Sequence, residues 1–192
     1  MAVIMKKQIV SIAGTLGSGK SSTAKLVAKE LGFQHYSAGD FFRNIGIKLG
    51  ITVDEVNKRA ETDPEIDKMT DEEVKRIGKM SNVVIDSRMA FHFIPESFKI
   101  YLDLPPEIAK ERVLHNLKEN ELRRQSEDSS NIEEVYNNII SRFESENKRY
   151  KECYGVDRTD RKNYDLIIDT NKNNLEQVVK IVIAKYKKWI AK

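Results

Sequence analysis

The amino-acid sequence indicates an α/β fold in which helices cover both faces of a parallel sheet. Short runs of β-branched residues alternate with longer segments in which apolar residues recur at helical spacing. The short runs are almost continuously apolar, which is typical of strands that are buried on both faces. Ligands of such folds bind beyond the carboxyl ends of the strands. We therefore expect the functional residues directly after strands.

Five segments are predicted as strands because β-branched and aromatic residues dominate them and turn residues bound them. They cover residues 8–13, 33–36, 82–86, 98–102 and 165–169. Gly14 follows the first of them (QIVSIA), and two others (NVVID and DLIID) end at an aspartate; both residue types commonly stop a strand.

Helices are predicted between these strands from apolar spacing and from start and stop residues. The first begins at Lys20 and ends before Gly32, which is suited to a helix C-terminus. Thr52 and Glu55 have the spacing of a capping box, and Pro106 stands where a later helix would begin. The predicted helices begin near residues 20, 40, 52, 64, 106, 132 and 175.

Composition and charge exclude several classes of protein. Of 192 residues, 40% are hydrophobic and 33% are charged, which suffices for both a core and solubility. The 33 Lys and Arg residues exceed the 30 Asp and Glu residues by only three, unlike a protein that coats nucleic acid. The one cysteine, Cys153, forms no internal disulfide, and no apolar run is long enough to span a bilayer. We expect one cytoplasmic domain without nucleic-acid or membrane partners.

A glycine-rich segment lies between the first predicted strand and the first predicted helix. Residues 14–21 (GTLGSGKS) fit the pattern G-x-x-x-x-G-K-[ST] in the strand–loop–helix context that it requires. Its backbone N–H groups and the helix N-terminus are expected to bind phosphate. Lys20 is expected to bridge the β- and γ-phosphates of ATP, and the Ser21 hydroxyl to ligate Mg²⁺. These features predict a P-loop NTPase fold whose ATP-binding residues are Gly14, Thr15, Leu16, Gly17, Ser18, Gly19, Lys20, Ser21 and Ser22.

Asp86 ends the third predicted strand, NVVID. An acidic residue at this position of a P-loop fold commonly reaches Mg²⁺ through water, and an ordinary helix-capping Asp is the alternative. Ser21 and Asp86 therefore form the predicted metal site. A GTPase is disfavoured, because Asn174 stands where the N-K-x-D motif has its guanine-binding Asp.

The segment after the second predicted strand has the pattern S-x-G-D-x-x-R, formed by Ser37, Asp40 and Arg43 around a glycine. Together with the phosphate loop, this pattern resembles the nucleoside-monophosphate kinases, which include the adenylate and cytidylate kinases. The resemblance implies that Arg43 holds the phosphate of an acceptor monophosphate, with Ser37 and Asp40 in the same substrate site. A solvated helix arginine is the alternative for Arg43.

Two further motifs favour the cytidylate kinases within that family. Residues 86–88 (DSR) resemble the D-[GS]-R motif of cytidylate kinases, whose arginine, here Arg88, contacts the acceptor phosphate. Arg142, Glu146 and Arg149 lie on one helix face, and they resemble the R-x-x-x-[DE]-x-x-R helix that surrounds the nucleotide and the transferring phosphoryl group. A solvated salt-bridge ladder is the alternative for this face.

The resemblance to the short archaeal-type cytidylate kinases covers residues 7–187. It implies one kinase domain over residues 1–192, with a five-stranded sheet, a monophosphate-binding helical segment at about residues 38–80 and a lid at about residues 115–135. The sequence departs from that type at residues 91–93 (FHF), where a glycine followed by a tryptophan is usual.

Four other residues lie in these two segments. Asp67 and Asp71 share one helix face, where they contact the sugar or base of the monophosphate or are surface charges. Arg123 and Arg124 are either lid arginines or solvated charges.

The function that the resemblance implies is transfer of the γ-phosphoryl group of Mg·ATP to CMP or dCMP. Lys20, Arg142 and Arg149 are then the catalytic residues, ATP and Mg²⁺ the cofactors, and the protein a monomer with small-molecule partners. An adenylate kinase or another small-metabolite P-loop kinase is the alternative in this class. In a different class, a nucleotide-gated binding protein would keep the phosphate loop without an acceptor site.

Overall fold

A computed structural model describes residues 6–119 and 131–192. Its centre is a five-stranded sheet in the order β2-β3-β1-β4-β5, in which every neighbouring pair is parallel. The predicted α/β architecture is therefore confirmed. The strands are β1 (Ile9–Gly14), β2 (Gln34–Ser37), β3 (Val83–Asp86), β4 (Phe98–Asp103) and β5 (Leu166–Asp169).

Helices connect the strands and cover both faces of the sheet. They are α1 (Lys20–Leu31), α2 (Ala38–Leu49), α3 (Val53–Ala60), α4 (Pro64–Ile77), α5 (Ala90–Phe93), α6 (Pro106–Glu119), α7 (Ile132–Tyr154) and α8 (Leu175–Ile190). The sequence prediction omits α5, because four residues are too few to show a helical period.

The helix ends form where the sequence has capping residues. Thr52 caps α3 in a complete capping box with Glu55, as predicted. Asp63 caps α4, which has Pro64 in its first turn. Gly32 and Gly50 end α1 and α2 in the left-handed conformation. The α2–α4 segment, residues 38–77, thus forms three short helices between β2 and β3.

Two apolar cores lie on opposite faces of the sheet. On one face, Val10, Ile12 and Ile100 pack with α1 and α8. On the other face, Ile9, Val83 and Ile85 pack with α4 and α5. Because β1 contributes to both cores, the loop that follows it is anchored on both sides. In the parts of the chain that the structure describes, no helix is both long and apolar enough to cross a membrane.

Part of the predicted lid lies outside the described residues. Residues 120–130 are not described, and they include Arg123 and Arg124. The two helices that flank them, α6 and α7, pack together through the buried side chains of Val113, Leu117, Val135 and Ile139.

Candidate active site

The loop between β1 and α1 approaches its neighbours so closely that glycine is required. A Cβ atom on Gly14 would lie 2.3 Å from the backbone oxygen of Leu102 on β4. Gly19 has a φ of 82°, a left-handed conformation in which glycine carries no steric penalty. The loop therefore curls tightly and leads directly into the N-terminus of α1, the geometry of a phosphate-binding loop.

Lys20 folds its side chain back over this loop. Its Nζ atom donates hydrogen bonds to the backbone oxygens of Gly14 at 3.0 Å and of Thr15 at 2.7 Å. Burial, together with the nearby positive charges of Arg88 and Arg158, lowers the pKa of Lys20 to about 7. A phosphate group in the loop would supply the negative charge that this ammonium lacks.

Asp86, at the end of β3, accepts hydrogen bonds from three side chains. Its Oδ1 atom accepts from the hydroxyls of Ser21 at 3.3 Å and Ser37 at 3.0 Å. Its Oδ2 atom accepts from Nε2 of His35 at 2.9 Å. No motif in the sequence singles out His35, so this contact is not predicted from the sequence. Only the parallel register of β2 with β3 reveals it, because that register pairs Ser37 with Asp86.

The hydroxyl oxygen of Ser21 lies 3.3 Å from Oδ1 of Asp86, and both residues line one cavity at the phosphate loop. Hydroxyl and carboxylate oxygens are the donors that Mg²⁺ prefers, and phosphate-bound Mg²⁺ uses few protein ligands. The donor set therefore fits Mg²⁺. Within residues 6–119 and 131–192, no group of three or more His, Cys, Asp or Glu side chains could hold a metal ion by itself.

A cavity of about 260 Å³ opens above the phosphate loop, and we call it the P-loop cavity. It brings together predicted residues from three separate parts of the chain. Arg43 reaches it from α2 and Arg88 from the end of β3. Arg43 also forms an ion pair with Asp40, and its side chain is half-exposed. The wall includes Leu16, Gly17, Lys20, Ser21, Ser22 and Ser37.

Arg88 is held by a buried carboxylate on α7. It forms an ion pair with Glu146 at 2.7 Å, and the side chain of Glu146 is only 5% exposed. Arg158 lies 3.9 Å from the same Oε2 atom of Glu146, and its guanidinium packs over the ring of Phe143. Burial and the positive charge of Arg88 lower the pKa of Arg158 to about 10. No motif in the sequence singles out Arg158, which directly follows residues 148–157 (KRYKECYGVD).

Arg142 and Arg149 contact the α2–α4 segment. Arg142 donates to Asp54 at 2.9 Å. Arg149 donates to Asp67 at 2.7 Å. Burial by itself lowers the pKa of Arg149, but the hydrogen bond and charge of Asp67 raise it above its ordinary value. The two arginines thus connect α7 to α3 and α4, an arrangement that differs from a ladder along one helix.

Two buried carboxylates face α7 from α4. Asp67 pairs with Arg149, whereas Asp71 accepts a hydrogen bond from the Tyr154 hydroxyl. Asp71 is almost fully buried at 1% exposure, so neither residue is a free surface charge. Burial raises the pKa of Asp71 to about 6, although the hydrogen bond from Tyr154 acts in the opposite direction.

The chain is similar over almost its full length to known proteins. It is 35% identical to a cytidylate kinase of Pyrococcus abyssi over 177 residues, which cover 92% of each protein. The chain belongs to the cytidylate kinase family. A cytidylate kinase of Natronomonas pharaonis is 37% identical over 165 residues, which cover 84% of this chain and 80% of that protein.

Two other comparisons concern the domain type and the fold. Residues 10–138 match a family model described as an AAA domain. The fold is also that of a shikimate kinase from Bacteroides thetaiotaomicron, with a TM-score of 0.62 over 93% of this chain and 98% of that one. Because the two chains share only 14% identity, this likeness concerns the fold alone.

Proposed function

We propose that this chain transfers the γ-phosphoryl group of ATP to CMP or dCMP, which yields ADP and the corresponding diphosphate. The observation that carries the proposal is the P-loop cavity, in which Lys20 shares one space with Arg43 and Arg88. A protein that only binds a nucleoside triphosphate has no need of two further arginines from separate elements. Membership of the cytidylate kinase family supports cytosine as the acceptor base.

On the donor side, the phosphate loop and the N-terminus of α1 bind the triphosphate. Lys20 would leave its two backbone acceptors and stabilise the charge that develops on the transferring group. Ser21 and Asp86 would hold Mg²⁺, which would neutralise negative charge on the phosphates. His35 and Ser37 fix the carboxylate of Asp86 by hydrogen bonds, so that it is already oriented.

On the acceptor side, Arg43 and Arg88 hold the monophosphate in line with the donor. Glu146 keeps Arg88 in place and offsets its charge while no phosphate is bound. Phosphoryl transfer of this kind depends on positioning and charge stabilisation more than on covalent catalysis. The attacking phosphate oxygen is already ionised near pH 7, so no general base is required.

Arg142 and Arg149 are proposed to supply further positive charge to the transferring group. Their ion pairs with Asp54 and Asp67 connect α7 to α3 and α4, the segment proposed to bind the monophosphate. When that segment moves toward the donor, Asp54 and Asp67 would move with it. The closed site would then exclude water from the reacting phosphates.

A coupled assay with Mg·ATP and a panel of CMP, dCMP, UMP, AMP and GMP tests the proposal. CMP and dCMP should have a kcat/KM at least about 10²-fold above the other acceptors, because a site that hydrogen-bonds one base rejects bases that leave those groups unpaired. Fastest turnover of AMP would replace the cytidylate assignment with an adenylate one. Turnover of none of the five would remove the kinase proposal.

A further inference from the structure

One buried hydroxyl lacks a partner among the residues that the structure describes. Thr70 on α4 is 5% exposed, and its Oγ1 atom has no hydrogen-bond partner in the described chain. Buried polar atoms are almost always hydrogen-bonded, because an unpaired hydroxyl costs about 1–3 kcal/mol. The unpaired hydroxyl of Thr70 therefore points to a ligand that supplies the missing hydrogen-bond partner.

The residue after Thr70 is Asp71, and both side chains line one small cavity, which we call the α4 cavity. The Tyr154 hydroxyl donates to Oδ2 of Asp71 and fixes the carboxylate from the side of α7. This leaves Oδ1 of Asp71 as a further acceptor on a residue that lines the same cavity as Thr70. The cavity wall also includes Phe42, Val74, Met89 and Tyr150, which are apolar or aromatic.

The α4 cavity adjoins the P-loop cavity. Ala38, Ser87 and Arg88 line both of them. If Arg88 holds the phosphate of the acceptor monophosphate, the nucleoside part of that molecule extends from Arg88 into the α4 cavity. An apolar space with a few convergent polar groups is the usual form of a small-molecule subsite.

We infer that Thr70 and Asp71 bind the hydrogen-bonding edge of the acceptor base and select cytosine over uracil. This inference rests on the proposed function and goes beyond it, because it assigns the base selection to two particular residues. The Asp71 carboxylate accepts a hydrogen bond from the cytosine N4 amino group. The Thr70 hydroxyl donates to N3 of the same base and thereby gains the partner that it lacks.

The donor and acceptor pattern of the other bases explains the selection. Uracil presents an O4 acceptor and an N3–H donor, so its O4 atom would face the carboxylate of Asp71 without a hydrogen. Guanine has the same unfavourable order at O6 and N1. Adenine has the favourable order at N6 and N1, so these two hydrogen bonds do not distinguish it from cytosine.

The cavity has a volume of about 20 Å³, which holds a water molecule but no base. Base binding therefore requires α4 to move away from α7. The hydrogen bond from Tyr154 to Asp71 and the ion pair of Arg149 with Asp67 join these two helices. We infer that the base enters between α4 and α7 while the phosphate occupies the P-loop cavity.

The test is the ratio of kcat/KM for CMP to that for UMP in three variants. In Asp71→Asn the amide can donate to O4 of uracil, so the ratio should fall by about 10²-fold or more. Thr70→Val should lower it by about 10-fold, because N3 of cytosine then has no donor. Thr70→Ser retains the hydroxyl and should keep the wild-type ratio.

Glu72→Gln provides the matched control. Glu72 is the neighbouring carboxylate on α4, and its side chain is 60% exposed beside Lys75. Glu72→Gln should change neither the CMP-to-UMP ratio of kcat/KM nor the KM for ATP. An equal loss of activity toward CMP and UMP in Asp71→Asn and Thr70→Val would overturn the inference and leave both residues with a structural role.

Wild-type protein separates this inference from the proposed function. If wild type phosphorylates none of the monophosphates, the proposed function fails. If wild type prefers CMP and both variants keep that preference, the inference alone fails. Should Asp71→Asn not fold, Tyr154→Phe replaces it, because it frees the Asp71 carboxylate without removing it. A loss of selectivity in Tyr154→Phe would support the inference, and an unchanged ratio in Tyr154→Phe and Thr70→Val together would overturn it.

Discussion

Lys20 illustrates how single residues are prepared for a charged ligand. Burial and the nearby cations Arg88 and Arg158 outweigh the carboxylates of Asp86 and Glu146 and lower the pKa of Lys20 to about 7. A bound triphosphate brings several negative charges to the same place. Binding should therefore raise the pKa of Lys20 again and draw in a proton.

This proton uptake is measurable by titration calorimetry at pH 7 in buffers with different ionisation enthalpies. A lysine with a pKa of about 7 is half-protonated there, so binding of Mg·ATP should take up about half a proton. Lys20→Arg, which is always charged, should abolish the uptake and serves as the control. Lys20→Ala should lower turnover by about 10²-fold or more. Equal uptake in wild type and Lys20→Arg would show that Lys20 is charged before ATP binds.

Asp71 shows the stability cost of a buried acceptor. Its pKa is about 6 in the folded protein and 3.8 in the unfolded reference, so the folded state binds the proton more tightly. The associated stability is complete below about pH 4 and is lost as the pH rises through about 6. At pH 7.5 the charged carboxylate therefore destabilises the fold.

Asp71→Asn should consequently raise the melting temperature at pH 7.5. The amide oxygen still accepts from Tyr154, and removal of the buried charge should gain about 2 kcal/mol, or about 4–8 °C. The gain should shrink between pH 6 and pH 4, because wild-type Asp71 is then also neutral. Thermal melts of both proteins across this range provide the check. A difference that does not vary with pH would contradict the raised pKa.

At the scale of elements, α7 connects the phosphate site to the α2–α4 segment. Arg142, Ser145 and Arg149 have the spacing i, i+3 and i+7, and they contact Asp54, Glu61 and Asp67. The same helix turns Glu146 toward Arg88. A pattern that resembles a surface ladder in sequence is thus a set of contacts between helices, and the side chains of Arg149 and Asp67 are largely buried.

Arg149→Ala should therefore lower both turnover and stability. Loss of one partner leaves Asp67 buried without its cation, which costs about 3–5 kcal/mol and should lower the melting temperature by roughly 6–20 °C. Stability alone does not identify a catalytic role, so the double variant Asp67→Leu, Arg149→Met is the decisive protein. An apolar pair of similar volume should restore most of the stability.

The kcat of that double variant, measured well below its melting temperature, distinguishes the two roles. If Arg149 acts on the transferring phosphoryl group, kcat should stay about 10²-fold below wild type although the fold is restored. Recovery of kcat together with stability would assign Arg149 a purely structural role.

At the scale of the whole molecule, the sheet order collects the site at one edge. The order β2-β3-β1-β4-β5 places the carboxyl end of β1, with its phosphate loop, next to that of β3, which carries Asp86 and Arg88. The end of β2, with His35 and Ser37, lies on the other side of β3. Residues that are far apart along the chain therefore line two adjoining cavities, the P-loop cavity and the α4 cavity.

Two nucleotide sites should produce two separate increases in thermal stability. A ligand at 100 times its Kd stabilises a protein by about 2.7 kcal/mol, which corresponds to roughly 5–10 °C for a chain of this size. ATP and CMP should each raise the melting temperature. A nonhydrolysable ATP analogue together with CMP should raise it further than either ligand alone. A nucleotide-gated binding protein would respond to ATP only. Arg88→Ala should abolish the response to CMP and retain the response to ATP.

Local signals in the sequence predict most of the fold. The capping box of Thr52 and Glu55, the proline at the start of α4 and the glycine after α1 all set helix ends where they were expected. Strand positions follow because buried parallel strands consist of continuous β-branched runs. The phosphate loop is predictable for the same reason, since its glycines and Lys20 act through neighbouring backbone.

The sequence by itself determined the parallel architecture, the phosphate loop and the membership of a kinase family, because each depends on residues that are adjacent or share one helix face. Only the tertiary structure decided which side chains meet across elements. The contacts of His35 with Asp86, of Glu146 with Arg88 and Arg158, and of Tyr154 with Asp71 join residues that are up to 83 positions apart. Such contacts follow from strand register and helix packing, which no local pattern encodes, and the Thr70 hydroxyl is recognisable as unpaired only once that packing is known.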